Sequence, residues 1–180
     1  MGTPFIAEAV RRAGNQSLAE LGLTIDFDMS NPEVQRFIGN KTKKFSKDIN
    51  KTTVEALTRE LKEGFAEGES IQDLRKRINK VFDQATTYRA EMIARTEIVG
   101  SSNKGAFEAY KQSGVVQKKE WLTARDERVR DSHWAADGQV KNLDEPFTLG
   151  SGVEIMYPGG DGPPEEVINC RCTVRPVVPF

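Results

Sequence analysis

The side chains best suited to chemistry lie in the last third of the chain. Both cysteines, Cys170 and Cys172, stand in the run Asn-Cys-Arg-Cys, and the chain has a single histidine, His133. Zinc prefers thiolate and imidazole ligands, and a loop-rich segment gains stability from such an ion, so these three residues are candidate zinc ligands. The alternative is that both cysteines are small buried apolar residues. A fourth ligand would be a water or one of these carboxylates: Asp126, Asp131, Asp137, Asp161, Glu165 or Glu166.

The same residues also allow a catalytic interpretation. Cys170 would be the nucleophile with His133 as its base, and Glu97 would add an active-site carboxylate. The sequence has no phosphate-cradling glycine loop and no recognisable nucleophile-base spacing. A catalytic set of Glu97, His133 and Cys170 is therefore the less favoured interpretation. A disulfide between cysteines at i and i+2 would strain the backbone, so we expect a reduced pair.

Charged residues crowd the segment 121–138, which also holds both tryptophans. Asp126 and Arg130 would share a helix face, and we predict that they pair and position His133. The alternative is a salt-bridged surface helix. Arg95 and Glu97 lie on different sides of an upstream helix, so each needs a distant partner, and we expect a network from that helix to the segment Asp126–Arg130.

The overall charge excludes a field that would attract nucleic acid or anionic membrane. The chain has 26 basic and 27 acidic residues, for a net charge of -1. Nucleic-acid contact would therefore be local, and the candidates are Lys41, Lys43, Lys44 and Lys47; a solvated helix face is the alternative. No apolar run approaches the roughly 20 residues that span a bilayer, so we expect a cytosolic protein without a membrane segment.

The apolar pattern predicts an α+β fold. A helical N-terminal half of long amphipathic helices precedes a small, loop-rich antiparallel β/α C-terminal half. We predict a short helix with a broken continuation over 4–22, a short helix from Asn31-Pro32, and longer helices over about 50–66, 70–82 and 86–112. Strands are predicted at 115–121, 139–140, 153–156 and 172–178, with Pro176 suited to an edge strand.

Several short motifs together resemble one known family. They are Ile93 to Glu97, Asn103, Trp121, the run Asp126 to Arg130, His133, and Asn169 to Cys172. In order and spacing they are similar to the phage Mu F-like head-morphogenesis domain of minor head proteins, over roughly Glu69 to Val174. The resemblance implies a helical N-terminal region, 1–68, followed by the Mu F-like domain, 69–180.

The resemblance implies a structural role and no enzyme activity. A minor head protein would dock to the portal protein and to a major capsid or scaffold protein, in the host cytoplasm during assembly and then in the virion head. It would also contact phage DNA during packaging or ejection. The motif residues would form a structural network: Arg95, Glu97, Asn103, Trp121, Asp126, Arg128 and Arg130.

Two features of the family bear on the alternatives. The domain also occurs in or beside phage-delivered effectors and toxins, which implies as runner-up an enzyme with a site around Arg95, Glu97, Asp126, His133 and Cys170. Some relatives carry a histidine shortly before the Cys-x-Cys pair. This chain has Glu165-Glu166-Val167-Ile168 there, so a carboxylate would have to replace that ligand.

Overall fold

The computed structural model describes the backbone of residues 4–47, 51–81 and 87–178, and the side chains of 4–44, 54–79, 81 and 91–178. The N-terminal half is helical and the C-terminal half carries short strands and loops, as the α+β prediction required. The helices are α1 Pro4–Glu20, α2 Pro32–Lys47, α3 Lys51–Ala66, α4 Ile71–Val81, α5 Thr87–Ser113, α6 Asp131–Trp134 and α7 Pro164–Val167. The strands are β1 Lys118–Leu122, β2 Val140–Asn142, β3 Phe147–Thr148, β4 Glu154–Ile155 and β5 Thr173–Val177.

One aliphatic core joins the five long helices. The predicted stripe of α3 is buried through Leu57 and Leu61, and that of α4 through Leu74 and Ile78. They pack with apolar residues of α1, α2 and α5 in a single cluster, so helices on both sides of residue 68 share this core. The division at residues 68 and 69 stays a prediction.

Local signals begin two of these helices where the sequence predicts. The Asn31 side chain accepts a hydrogen bond from the Glu33 N–H at 2.8 Å, which satisfies a free donor in the first turn of α2. At α4, Ser70 Oγ accepts from the Asp73 N–H at 3.3 Å and donates to the Asp73 carboxylate at 2.7 Å.

Close approach of α1 and α5 depends on a glycine. A Cβ on Gly105 would overlap the backbone carbonyl of Val10, so α1 can lie against α5 only because that atom is missing. Since α5 continues into the second half of the molecule, this contact ties the helical layer to the strands.

The strands form two small antiparallel sheets. In the first, β1 lies at the centre between β2 and β5, and β3 pairs with β4 in the second. Pro176 therefore lies on an edge strand, as predicted. A second core of aromatic and sulfur-containing side chains fills the space between the sheets and α5, including Phe107, Tyr110, Trp121, Phe147, Tyr157, Cys170 and Cys172.

The structure corrects several element predictions. Helix α1 is continuous to Glu20, where a broken helix was expected, and α2 is 16 residues long, where a short one was expected. Strand β3 and helix α7 were not predicted, and α6 covers only Asp131–Trp134, where a helix that also included Asp126 and Arg130 was expected. None of the described helices is both long and apolar enough to pass through a membrane.

Candidate functional site

His133 on α6 meets both cysteines immediately before β5. Its Nδ1 atom lies 3.3 Å from Cys172 Sγ and 3.8 Å from Cys170 Sγ. All three ligand atoms lie within 4.8 Å of one another, and each of the three residues is at most 2% exposed. The tertiary structure thus assembles the three candidate ligands that the sequence separates by almost forty residues.

Glu166 on α7 holds the other nitrogen of the imidazole. His133 Nε2 lies 3.0 Å from Glu166 Oε2, and the Ser132 hydroxyl donates to the same oxygen at 2.9 Å. Burial tends to raise the pKa of Glu166, but hydrogen bonds from Ser151 and Ser132, with the nearby imidazole, outweigh it and lower that pKa. Glu166 therefore holds the ring through the nitrogen that does not face the sulfurs, and its role as a metal ligand stays a prediction.

The two thiols share one buried pocket and cannot ionise independently. Their mutual hydrogen bond lowers the pKa of Cys170 to about 5. The same interaction raises the pKa of Cys172, because a second thiolate next to the first is strongly disfavoured.

Residues of α5 fix the turn that leads into the cysteine pair. Asn169 has a positive φ of 58°, a conformation that asparagine tolerates better than most residues. Arg95 donates to its side-chain oxygen at 2.7 Å, and its N–H donates to Thr96 Oγ at 2.8 Å. The Ala-Arg-Thr-Glu motif therefore holds the residue that precedes Cys170.

Asn103, further along α5, holds the other end of the cysteine segment. Its side-chain nitrogen donates to the carbonyls of Cys172 at 2.9 Å and Pro158 at 3.0 Å. Its side-chain oxygen accepts from the Thr173 hydroxyl at 3.1 Å and the Val174 N–H at 3.3 Å. One buried amide thus joins the helix to β5 and to the loop before α7.

The sequence predicted that Asp126 pairs with Arg130, and this prediction is wrong. It makes a bidentate ion pair with Arg171, with both oxygens 2.5 Å from the guanidinium nitrogens, and this hydrogen bonding lowers the pKa of Asp126 to about 2. Arg130 instead donates to the Ile168 carbonyl, and Arg128 contacts Asp126 through its backbone N–H at 3.0 Å. The contacts of Arg95, Asn103, Asp126 and Arg130 converge on residues 168–174 and do not run directly from α5 to the segment 126–130, whereas Glu97 lies beside Lys41.

Trp121 on β1 covers the imidazole. Its ring meets His133 edge-on at 5.3 Å and Phe147 at 5.4 Å. The buried indole N–H has no hydrogen-bond partner among the described residues, and it lies close enough to Cys172 to lower the pKa of that thiol.

A separate and much larger cavity of about 430 Å³ opens between α2, α5 and the segment 159–168. We call it the docking cavity, and its walls include Phe37, Lys41, Lys44, Met92, Ile93, Glu97, Asp161, Pro164, Val167 and Ile168. Glu97 Oε2 accepts no hydrogen bond among the described residues, and Lys41 Nζ lies 3.5 Å away. Burial raises the pKa of Glu97 against the opposing charges of Lys41 and Lys44.

The four lysines proposed as nucleic-acid contacts differ in their exposure. Lys41 is half-buried beside Glu97, whereas Lys43 and Lys44 are exposed. The side chain of Lys47 lies outside the described residues.

Comparison with known proteins confirms the resemblance that the motifs predict. The family model described as Phage Mu protein F like protein matches residues 55–175. This chain belongs to that family. No solved structure matches it.

Relatives of this Mu F-like chain carry different names. It is 34% identical over 118 residues to NAD(+)-arginine ADP-ribosyltransferase EFV of Enterococcus faecalis, a match that covers 64% of this chain and 24% of that protein. It is 30% identical over 118 residues to the minor head protein GP7 of Bacillus phage SPP1, covering 64% of this chain and 38% of that protein. An uncharacterized protein of Haemophilus influenzae is 28% identical over 132 residues, covering 73% of this chain and 27% of that protein. The matches thus span well under half the length of these relatives.

The geometry of the Mu F-like chain does not favour the catalytic set proposed from sequence. Glu97 lines the docking cavity, whereas His133 and Cys172 line a separate notch of about 10 Å³. Cys172, His133 and Glu166 do contact one another in the sequence expected of a nucleophile, its base and an acid that orients the base. A notch of this size admits about one water, which is too small for a substrate.

Sequence reasoning named Glu166 but missed what it does, and it missed the docking cavity entirely. The signal for Glu166 was its place beside the cysteine segment, but only the fold turns its carboxylate to the rear of the imidazole. The cavity lies between residues far apart in sequence, and no local pattern marks it.

Proposed function

We propose that this protein is a minor head component of a bacteriophage or prophage that acts in head assembly by docking to other capsid proteins. The family match over residues 55–175 and the similarity to the minor head protein of Bacillus phage SPP1 support this role. Assembly places the protein in the host cytoplasm first and in the virion head afterwards.

The docking cavity is the observation that carries the proposal. Its walls are mainly apolar, through Phe37, Met92, Ile93 and Ile168, and its volume of about 430 Å³ falls within the range of specific binding pockets. Ile168 is 37% exposed at this surface. A monomer that leaves such a concave apolar surface open to water gains free energy when a partner covers it.

The occupant that we propose is an apolar side chain of the portal protein, with its flanking backbone against Lys44 and Asp161 at the rim. The cavity offers a positive and a negative group, so it suits a polypeptide of mixed charge better than a strongly charged polymer. The major capsid or scaffold protein is the alternative partner.

Incorporation into procapsids tests the docking role. Ile168→Asp places a charge at the cavity and should lower the amount of protein per purified procapsid by at least about tenfold, which corresponds to roughly 1.4 kcal/mol of binding free energy. Val140→Asp is the matched control, because Val140 is 46% exposed on β2, away from the cavity lining, and it should incorporate normally. Quantitative immunoblotting of procapsids gives the result, and normal incorporation of Ile168→Asp would rule out the docking cavity.

A contact with phage DNA is a compatible second role for Lys43 and Lys44, which are exposed on α2. If phosphates dominate that contact, its affinity falls steeply between 50 and 200 mM salt. An affinity that stayed constant over this range would exclude the phosphate contact and leave the docking role unaffected.

The enzyme alternative rests on the hydrogen-bonded order Cys172, His133 and Glu166, since the match to the named ADP-ribosyltransferase covers only 24% of that protein. Growth inhibition on expression that His133→Ala abolished would support an enzyme. A wild-type protein without effect on growth would count against it.

A further inference from the structure

We propose that His133, Cys170 and Cys172 bind one zinc ion that fastens α6 to the segment ahead of β5. This inference goes beyond the head-assembly role, because it depends only on the cluster behind β1 and not on the docking cavity. The chain would then carry a metal centre with three protein ligands inside its C-terminal half.

The separations from the imidazole nitrogen to the two sulfurs suit a tetrahedral ion. Zinc bound to sulfur at about 2.3 Å and to nitrogen at about 2.05 Å places those two ligand atoms roughly 3.6 Å apart. His133 Nδ1 lies 3.3 Å from one sulfur and 3.8 Å from the other, so the observed distances fall on either side of that value. Shifts of about 0.3 Å would bring these two separations to the tetrahedral value.

The surroundings of the imidazole are those of a metal ligand. Glu166 accepts the Nε2 proton at 3.0 Å, which leaves the Nδ1 lone pair directed at the sulfurs. Ser132 holds the same carboxylate oxygen at 2.9 Å. The carboxylate-histidine arrangement fixes both the tautomer and the ring orientation that zinc requires, before the metal arrives.

The unpaired indole N–H of Trp121 is a second observation that points to a bound ion. It is buried, has no hydrogen-bond partner among the described residues, and lies near Cys172. A thiolate that binds zinc keeps lone pairs free and accepts N–H groups from around the site. Metal binding at Cys172 therefore gives this donor an acceptor of full negative character.

The fourth position of the metal opens toward solvent. His133 and Cys172 form part of a notch of about 10 Å³ whose other walls are Arg128, Val129, Arg130, Asn169 and Arg171. This space suits one water, and in the described part of the chain no carboxylate joins the ligand cluster. Zinc with two thiolates has no net charge, which lowers the cost of burying the centre among apolar groups.

The ligand set selects against other common ions. Magnesium and calcium require oxygen ligands in larger number, which two thiolates and an imidazole do not supply. Copper(I) accepts the same soft ligands but does not need the fourth, solvent-facing position. The geometry thus points to zinc, and copper(I) is the competitor that the experiment must separate.

Titration of the full chain tests the proposal. Protein freed of metal under reducing conditions should take up about one equivalent of zinc, and its thermal midpoint should rise by roughly 10 °C when free zinc is a thousandfold above the dissociation constant. Cobalt(II) in place of zinc should give visible bands of tetrahedral cobalt and near-ultraviolet bands of thiolate bonding. Copper(I) that bound stoichiometrically while zinc did not would overturn the assignment to zinc.

Single substitutions locate the site. Cys172→Ser and His133→Asn should weaken zinc binding by at least about a hundredfold, and Glu166→Gln, which removes the orienting charge, by about ten- to a hundredfold. Asp131→Asn changes an exposed carboxylate on the same helix and should leave the affinity unchanged. Where a ligand variant fails to fold, titration of the metal-free wild-type chain decides alone.

The proposal fails if the wild-type chain takes up less than about 0.1 equivalent of zinc, or if cobalt shows no thiolate bands. It also fails if Cys172→Ser binds zinc as tightly as the wild type. None of these results bears on procapsid incorporation of the Ile168→Asp variant, so the two proposals stand or fall separately.

Discussion

The helical layer and the C-terminal half are held together by different means. Helices α1 to α4 bury aliphatic stripes in one shared core. The C-terminal half is organised around buried polar groups: of the eight polar or charged residues that are buried in the described chain, seven lie at Ser101 or later. Only Ser17 lies in the first four helices.

The difference follows from the length of the elements. A helix of eleven or more residues satisfies its own backbone groups and needs only an apolar face to pack. Elements of two to five residues leave more backbone groups to be paired by side chains, and Asn103, Thr96, Lys119 and Arg130 do this for the C-terminal half. Side-chain chemistry should therefore matter more than volume in that half, and the reverse should hold for the helical layer.

The largest effect should come from Asn103→Leu, which keeps the size of the side chain and removes four hydrogen bonds. Three of the groups that it leaves belong to buried residues, namely the carbonyls of Pro158 and Cys172 and the Val174 N–H, so we expect the free energy of unfolding to fall by about 4 kcal/mol in urea denaturation. Leu61→Met is the control in the helical core, and a volume-conserving exchange there should cost less than about 1.5 kcal/mol. Equal losses in both variants would contradict the contrast between the two halves.

Lys119 should make the C-terminal half respond to alkaline pH. Its ammonium group is fully buried, donates to the carbonyls of Met156 at 2.8 Å and Leu143 at 3.2 Å, and lies over Phe107 and Phe147. Burial, with a smaller effect of Lys111, lowers the pKa of Lys119 to about 8 from 10.5. Between pH 8 and 10.5 the unfolded chain therefore binds more protons than the folded protein. The contribution of Lys119 to stability thus increases with pH across that range.

The comparison of wild type with Lys119→Met isolates this effect. Between pH 7.5 and 10 the wild type should gain up to about 3 kcal/mol relative to the variant, from denaturant unfolding at both values. The other ionisable groups cancel because both proteins carry them. Parallel pH profiles would mean that Lys119 titrates normally.

The glycine at the contact of α1 and α5 tests volume in the helical layer. Gly105→Ala should destabilise by about 2 kcal/mol, because the new methyl group overlaps the Val10 carbonyl and forces the helices apart. Gly39→Ala in α2 is the matched control: its Cβ would meet nothing within 4 Å, so better helix propensity should stabilise the protein by up to about 1 kcal/mol. Effects of the same sign would show that propensity, and not space, decides at Gly105.

The smallest effect is expected at Asp126. Its ion pair with Arg171 lowers the pKa of Asp126 to about 2, so the stabilisation is present above the unfolded pKa near 3.9 and is lost as pH falls through about 2. The unfolding midpoint of wild type should therefore decline more steeply between pH 4 and 2 than that of Asp126→Asn. In an Arg171→Gln background the same substitution should have no effect, since the partner is gone.

Prediction from sequence succeeded where structure is local and periodic. The stripe of Leu57 and Leu61 and the Ser70 cap correspond to α3 and α4 as the structure has them. It failed at α7, at β3 and at the extent of α6, which are short and depend on contacts made elsewhere in the chain. The helix face assumed for Asp126 and Arg130 was wrong, because α6 begins only at Asp131 and leaves both residues outside it.

The sequence by itself determined the presence of the long helices, the apolar stripes of α3 and α4, the motif residues and the types of candidate ligand at His133, Cys170 and Cys172. Repeats of three or four residues and side-chain chemistry are properties of the chain alone. Only the tertiary structure decided that Arg171 is the partner of Asp126, that Glu166 lies behind the imidazole, and that α2 and α5 enclose a cavity with the segment 159–168. These features join residues far apart along the chain through loops whose conformation depends on single contacts, such as those at Asn169, and no local pattern encodes such contacts.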